Sequence, residues 1–231
     1  MMKMKSEQIN HLGVIAGTPV DTEMGEMLLR SKAFTASGKS ISATPEEQAK
    51  MQVLEQQRLF EETLNKVKEL RDLGAEGVII YCNSLSASLD LDKLKKLSPL
   101  PIVTPLDIYK EIANDFQTIA LMSATNSSNI TIEKVMRQNN SYITVLGFSL
   151  LPVVLQIEKG VAPEKIVHEV GIKDLLAAIS KLKVESLILA CTHFPYFKDE
   201  VDELISEQGY TFELIDPAEK MVEKFLNYQK I

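Results

Sequence analysis

Short apolar runs alternate with longer stretches of helical periodicity along the chain. Seven runs predict β-strands: LGVIAG, EGVIIYC, PIVTPLD, QTIALMSA, SYITVLGF, ESLILACT and TFELIDP. Because these runs lack strict apolar–polar alternation, they suit strands that helices cover on both faces, although a buried helix has the same pattern over so short a run. The alternation predicts an α/β fold with mostly parallel sheets.

One long helix is predicted between the first two runs. It begins at ATPEEQ, where Thr44 can act as the N-cap, Pro45 suits the first helical position and Glu47 completes a capping box. Gly74 is expected to end it.

The second half of the chain repeats features of the first half. In EGVIIYCNS and ESLILACTH, a glutamate (Glu76 or Glu185) stands six residues before a cysteine (Cys82 or Cys191). The interval between the two glutamates therefore equals the interval between the two cysteines. Such self-similarity predicts that one α/β unit occurs twice.

Two further residue pairs support the repeat. Thr18 and Thr125 follow the strands that open the two halves, and Asp107 and Asp216 follow later strands at the same interval as the two cysteines. We expect these aspartates to cap helices rather than to act as catalytic acids. The predicted domains are 1–106 with 216–231, and 107–215.

Composition narrows the class of protein. The 231 residues are 45% hydrophobic and carry a net charge of −7, which argues against a nucleic-acid partner. No run is long enough to span a membrane, and MMKMKSEQIN lacks the apolar stretch of a signal peptide. We therefore expect a cytoplasmic protein with no membrane partner, whose cysteines are free thiols rather than a disulfide.

Each cysteine follows a predicted strand, at the sheet edge where parallel α/β folds bind ligands. A cysteine there can simply be a small buried apolar residue. However, Asn83-Ser84 and Thr192-His193 are unusual neighbours for a packing role. The matched settings of the two cysteines favour a catalytic role over a packing role. We expect the two thiols to face one another across a cleft between the domains.

Two symmetrical thiols suit stereoinversion at a carbon acid. One group removes the α-proton from one face while the other delivers a proton to the opposite face, and reversibility requires each to serve in both roles. The backbone amides of helices that begin after CNS and CTH, or a neighbouring cation, would lower the pKa of a thiol enough to bring a thiolate within reach at neutral pH. The same amides could also bind a carboxylate.

These segments resemble those of a known family. YCNSLSA resembles the Cys-Asn-Thr segment, and LACTHFPYF the Gly-Cys-Thr-His-Tyr-Pro segment, of the PLP-independent aspartate/glutamate racemase superfamily, and LGVIAGTPVDT and SATNSS are similar to its strand and threonine-rich turn. The resemblance implies two α/β domains around a shared cleft, 1,1-proton transfer on an acidic amino acid without a cofactor, and frequent homodimers. It makes Cys82 and Cys191 the acid/base pair. The substrate-binding residues it implies are Thr18, Asn83, Ser84, Thr125, Thr192 and His193.

The chain departs from the family pattern in two places. Glutamate racemases carry Asp-Ser where this chain has Ala16-Gly17, so the carboxylate that assists their first cysteine has no direct counterpart. Aspartate racemases have glycines there but commonly follow the second cysteine with Thr-Glu, whereas this chain has His193, which could polarise Cys191. The choice between aspartate and glutamate stays open. Asp21 could supply the missing carboxylate, but we interpret it as a solvated turn residue.

Two other classes of function remain open. No residues have metal-ligand spacing and neither G-x-G-x-x-G nor a P-loop occurs, so no metal is expected. A superfamily decarboxylase or cis–trans isomerase would use a single cysteine, and a non-catalytic binding protein would only hold an amino acid. Deuterium exchange at the α-carbon distinguishes a racemase from a binding protein.

Overall fold

The computed structural model describes residues 9–228. The first eight residues of MMKMKSEQIN, on which the signal-peptide prediction rests, lie outside this range. The chain divides into two compact units, one formed by the residues up to Pro105 together with the chain from Ala218, the other by Leu106–Pro217. Among residues 9–228, no helix combines the length and apolarity needed to cross a membrane.

Each unit contains a four-stranded parallel sheet with helices. The strands are β1 (His11–Ala16), β2 (Thr35–Ser40), β3 (Gly77–Ile80), β4 (Ile102–Val103), β5 (Thr118–Ser123), β6 (Thr144–Ser149), β7 (Ser186–Ala190) and β8 (Glu213–Ile215). The helices are α1 (Pro19–Ser31), α2 (Pro45–Leu54), α3 (Gln56–Asp72), α4 (Asn83–Ser88), α5 (Leu91–Leu97), α6 (Pro105–Ile112), α7 (Asn126–Asn139), α8 (Leu151–Glu158), α9 (Pro163–Glu169), α10 (Ile172–Lys181), α11 (Lys198–Gln208) and α12 (Pro217–Tyr228).

The two sheets have the same topology. Their strand orders are β2-β1-β3-β4 and β6-β5-β7-β8, and all pairs are parallel. The predicted α/β class and the duplication of one unit are confirmed, and each of the seven predicted runs contains a strand.

The strand β2 escaped prediction because its sequence, TASGKS, has no apolar run. It lies at the edge of the first sheet, and most of its side chains are partly exposed. Gly38 faces α1 closely, since a Cβ there would lie 2.5 Å from Thr22 Cγ2. An edge strand beside one helix needs little apolar burial, and the hydrophobic pattern therefore does not reveal it.

The prediction of a single long helix is wrong, because the helix breaks at Glu55 (φ −132°, ψ 40°) into α2 and α3. The break separates two different buried faces: α2 buries two glutamines, whereas α3 buries a mainly apolar stripe. Thr44 caps α2 as predicted, but the Glu47 carboxylate accepts from the Ala43 N–H (2.8 Å) rather than from that of Thr44. After α3, Gly74 adopts φ +92°, the left-handed conformation that terminates helices.

The repeated glutamates fasten the sheets. The Glu76 carboxylate accepts hydrogen bonds from two backbone N–H groups where β1 begins, at 2.7 and 3.0 Å. Glu185 makes the same pair where β5 begins, at 2.5 and 3.1 Å, and these N–H groups lower its pKa. The glutamate in each repeat therefore ties the strand that leads to the cysteine to its neighbour.

The repeat changes its interval before the last strand of each sheet. On the strands that lead to the cysteines, Ile79 and Ile188 are equivalent, since each stands three residues before its cysteine. Ile79 pairs with Val103 in the first sheet, whereas Ile188 pairs with Ile215 in the second. The second unit therefore uses three more residues than the first to reach its last strand.

This shift corrects the interpretation of the two aspartates. Asp216 directly precedes α12, in the N-cap position, and so corresponds to Thr104, which directly precedes α6. Asp107 lies inside the first turn of α6 instead. The equal spacing of Asp107 and Asp216 is a coincidence, and the prediction that both are caps is wrong for Asp107.

Each sheet packs in its own apolar core. In the first unit, helix α12 supplies part of the packing because the ring of Phe225 lies over Gly77, where a Cβ would come within 2.4 Å of Cε1. A side chain at position 77 would therefore displace the ring.

Candidate active site

The candidate residues lie at the carboxyl ends of neighbouring central strands. In the first sheet Thr18 follows β1 and Cys82 follows β3, and in the second Thr125 follows β5 and Cys191 follows β7. Between these central strands the strand order reverses direction, which is where open α/β sheets bind ligands. Each unit thus brings one threonine and one cysteine to its own switch point.

Thr18 and Thr125 perform the same structural task. Each is the N-cap of the helix that follows, and its hydroxyl oxygen accepts from a backbone N–H three residues on, at 3.5 Å for Thr18 and 3.3 Å for Thr125. Thr18 is fully buried, whereas Thr125 is partly exposed. Helix capping accounts for part of the repeat, and Thr125 is the more exposed of the two threonines.

Asp21 is buried, with 1% of its surface exposed, so the interpretation as a solvated turn residue is wrong. Its carboxylate accepts from the backbone N–H groups of Thr18 (2.7 Å) and Gly17 (3.2 Å) and from the Thr18 hydroxyl (3.0 Å). These bonds complete the capping box of α1 and compensate for removing the charge from water.

Cys82 is a buried free thiol at the start of α4. Burial, followed by the negative charge of Asp21, raises its pKa to about 12, although hydrogen bonds from Ser84 and Gln48 act in the opposite direction. The expectation of a thiolate near neutral pH is therefore wrong for Cys82, which carries its proton at neutral pH.

Two glutamines beside Cys82 were missed by the sequence analysis. Gln48 Nε2 lies 3.1 Å from the Cys82 Sγ, and Gln52 Nε2 lies 3.0 Å from the Ser84 Oγ. Both glutamines are buried on α2, one helical turn apart. Their four-residue spacing was the available signal, but polar residues on a helix are ordinarily assigned to its solvent face.

Cys191 is also buried and free, but no α-helix begins directly after it. A 3-10 turn at Phe194–Phe197 comes first and α11 begins only at Lys198, so the predicted helix N-terminus after CTH is wrong. Thr192 and Asn83, the residues that follow the two cysteines, are both buried.

Cys191, His193 and Glu158 form a row of three side chains, each in contact with the next. The Cys191 Sγ lies 3.8 Å from the His193 Nδ1, and the His193 Nε2 lies 2.7 Å from the Glu158 Oε1. The His193 side chain is 5% exposed and that of Glu158 16%. Glu158 is the last residue of α8, a separate element far before the cysteine in sequence, and no local pattern pointed to it.

These three side chains can move a proton away from Cys191. With Nε2–H donating to the Glu158 carboxylate, Nδ1 presents its lone pair toward Cys191, and the imidazole can accept the thiol proton. Glu158 then balances the charge of the imidazolium. Nearby, burial and the negative charges of Asp216 and Cys191 raise the pKa of Tyr109, which keeps that phenol neutral.

Together, the duplicated parallel fold and the buried cysteine at each switch point define a class of two-unit α/β proteins with paired cysteine sites. The family model described as "Asp/Glu/Hydantoin racemase" matches residues 7–225. The chain belongs to this family, which confirms the resemblance seen in its motifs. Among residues 9–228, no three His, Cys, Asp or Glu side chains are arranged to hold a metal ion.

Two curated relatives have low sequence identity to this chain. The chain is 27% identical over 177 residues to a glutamate racemase of Buchnera aphidicola, covering 71% of this chain and 64% of the relative. It is 22% identical over 173 residues to a glutamate racemase of Bacillus cereus, covering 73% and 64%. The chain thus spans about 64% of the length of these curated relatives.

Solved structures share the fold. The glutamate racemase of Francisella tularensis, determined in complex with D-glutamate, has a TM-score of 0.70 at 20% identity, covering 96% of this chain and 82% of that one. The aspartate racemase of Picrophilus torridus has a TM-score of 0.67 at 16% identity, covering 96% and 94%. At these identities the likeness concerns the fold.

Proposed function

We propose that this protein is a cofactor-independent racemase of an acidic amino acid, aspartate or glutamate, in which Cys82 and Cys191 transfer protons on opposite faces of the α-carbon. The observation that carries the proposal is the buried chain from Cys191 through His193 to Glu158, in a member of the Asp/Glu/Hydantoin racemase family. The names of the relatives and the D-glutamate complex of a structural neighbour support the substrate class.

The proposed reaction is balanced in protons. Cys191, whose own proton has passed to His193, takes the α-proton, so that a C–H bond breaks and an S–H bond forms. Cys82 then gives its thiol proton to the opposite face of the carbanion. In the reverse direction the two cysteines exchange roles. Because Cys82 carries its proton at neutral pH, the unliganded protein is ready for the direction in which Cys191 is the base.

The remaining candidates would hold the substrate. We propose that Asn83, Thr125 and Thr192 supply donors to its carboxylates. The hydroxyl of Ser84 donates to the Cys82 Sγ, and the hydroxyl of the fully buried Thr18 caps α1, so these two act through their neighbours. By resemblance to glutamate racemases, Cys82 acts on the D-enantiomer and Cys191 on the L-enantiomer. A homodimer and a cytoplasmic location belong to the same proposal, and light scattering of the purified protein tests the former.

The test is α-proton exchange in deuterated water, followed by NMR with each enantiomer of aspartate and glutamate. Cys82→Ser and Cys191→Ser should each lose racemisation by orders of magnitude, because a hydroxyl is far too weak an acid to share the proton transfer. One-sided exchange can survive in each variant, with opposite enantiomers. A variant that racemises near the parent rate contradicts the two-thiol mechanism, and a parent that binds without exchanging any α-proton indicates a binding protein.

A further inference from the structure

Two buried amides converge on Cys82 from α2. The Gln48 Nε2 lies 3.1 Å from the Cys82 Sγ and 3.4 Å from the Ser84 Oγ. The Gln52 Nε2 lies 3.0 Å from the same Oγ, and the Ser84 Oγ is 3.4 Å from the Cys82 Sγ. The four side chains form one connected group, in which the thiol is the only ionisable member.

Counting hydrogens fixes the direction of each bond. An amide nitrogen only donates and has two hydrogens, so Gln48 can donate one to Sγ and one to the Ser84 Oγ. The Ser84 oxygen accepts from both glutamines, which occupies its two lone pairs and leaves its own hydrogen for the sulfur. The sulfur therefore receives two donors from this group. Such an arrangement suits a thiolate, which accepts, better than a thiol, which must also donate.

Gly17 makes room for this arrangement. A Cβ at position 17 would lie 2.2 Å from the Gln48 Oε1 and 2.3 Å from its Nε2, so any other residue would push the amide away from its present place. Asp21 lies on the same side of the first unit and its charge opposes ionisation of Cys82. Neutral donors are thus the groups on this side that favour the ionised sulfur.

We propose that Gln48 is a positioning residue that, together with Ser84, stabilises the thiolate of Cys82 when this cysteine acts as the base. The catalytic consequence rests on the proposed racemase function. The effect on the sulfur does not, because the two donors would stabilise a thiolate in any reaction.

The test uses the Cys191→Ser background, in which Cys82 is the only thiol. Below its pKa, the rate of alkylation by iodoacetamide at a fixed pH is proportional to the thiolate fraction. Gln48→Met keeps the length of the side chain but removes the donor, and the thiolate fraction should fall by about 10- to 100-fold, the range for a hydrogen bond to a charged group. Because a more basic thiolate is also more nucleophilic, the alkylation rate should fall by about 3- to 10-fold. Gln48→Glu replaces the donor by an acceptor and should slow alkylation at least as much.

Gln52→Met is the matched control, because Gln52 lies on the same face of α2 but contacts Ser84 and not the sulfur. It should slow alkylation much less than Gln48→Met. Repeating the rates with the smaller reagent methyl methanethiosulfonate separates ionisation from access, since a loss of access depends on reagent size. If Gln48→Met does not fold, Gln48→Leu, which also removes the donor without adding a charge, takes its place.

Exchange of the α-proton by Cys82, measured in the same background, should slow in parallel with alkylation. Equal alkylation rates with and without Gln48 overturn the proposal, whatever the exchange assay shows. Slower alkylation in a protein whose parent exchanges no α-proton supports the role of Gln48 while removing the racemase function. The two proposals therefore fail separately.

Discussion

Replacing Glu158 by glutamine tests the proton chain of the second unit. In the protein, the Glu158 Oε1 lies 2.7 Å from the His193 Nε2. The change keeps the shape of the side chain and leaves an amide oxygen that can accept the same hydrogen bond. What it removes is the negative charge opposite the imidazolium that forms when Cys191 gives up its proton. The half-reaction in which Cys191 is the base should therefore slow, while the fold is retained.

The size of the effect follows from the geometry. Two unit charges about 4 Å apart attract by roughly 4 kcal/mol at an effective dielectric constant of about 20, which suits a side-chain pair as little exposed as this one. The remaining neutral hydrogen bond returns about 1 kcal/mol. The net loss of about 3 kcal/mol corresponds to a rate roughly 100-fold lower.

The direct assay is α-proton exchange in the Cys82→Ser background, where Cys191 is the only thiol left. Glu158→Gln should slow exchange about 100-fold. Glu169→Gln is the control, since Glu169 belongs to an exposed ion pair with Lys165 on α9, next to α8 in sequence. Exchange within about threefold of the background rate, a difference of well under 1 kcal/mol, would refute the role of Glu158.

Two further predictions concern stability. The pKa of Cys82 rises from 9.0 to about 12 on folding, so the folded state keeps a proton that the unfolded state loses, and the free energy of unfolding should fall by about 1.4 kcal/mol per pH unit between these values. Urea unfolding at several pH values should show a shallower decline for Cys82→Ala, a difference that isolates this thiol from Tyr109, and parallel curves would contradict the prediction. Gly77→Ala should cost about 1–3 kcal/mol by forcing the Phe225 ring aside. In a Phe225→Leu background, Gly77→Ala should lower the free energy of unfolding by less than it does in the parent protein. Strictly additive losses in this double-mutant cycle would show that the two sites do not interact.

Local sequence was sufficient for most of the fold. Short apolar runs revealed seven strands because strands covered by helices must be apolar on both faces. The same logic missed β2, whose edge position demands little burial. The break at Glu55 was missed as well, because helix signals at Thr44 and Gly74 mark the ends of a helical region without saying whether it is continuous.

The site was predictable only where its chemistry is local. Both cysteines and the polar residues after them stand directly at strand ends, so their setting can be read from a few neighbouring residues. Gln48 and Glu158 reach their partners from helices that lie far away along the chain, and only the fold creates those contacts. Asp21 was misjudged for a related reason, since the backbone N–H groups that permit its burial become available only when α1 forms.

The two halves of the protein share a scaffold but differ in how each thiol can ionise. Cys191 lies beside the imidazole of His193, which in turn contacts the carboxylate of Glu158, so the proton of Cys191 can move within the protein. Cys82 has neutral donors and a buried aspartate, so its proton must leave to the substrate or to water. The two half-reactions should therefore respond differently to pH.

Racemisation as a whole hides this difference. Enantiomers have equal free energy in water, and kcat/KM of a racemase must therefore be the same in both directions at every pH. That equality does not apply to kcat and KM taken separately, or to the one-sided exchange of each single-cysteine variant. The asymmetry between the two thiols can therefore be measured only in those quantities. With one thiol removed, exchange by Cys82 should rise about tenfold per pH unit below its pKa. Exchange by Cys191 should depend less steeply on pH, because transfer of its proton to His193 leaves the net charge of the site unchanged.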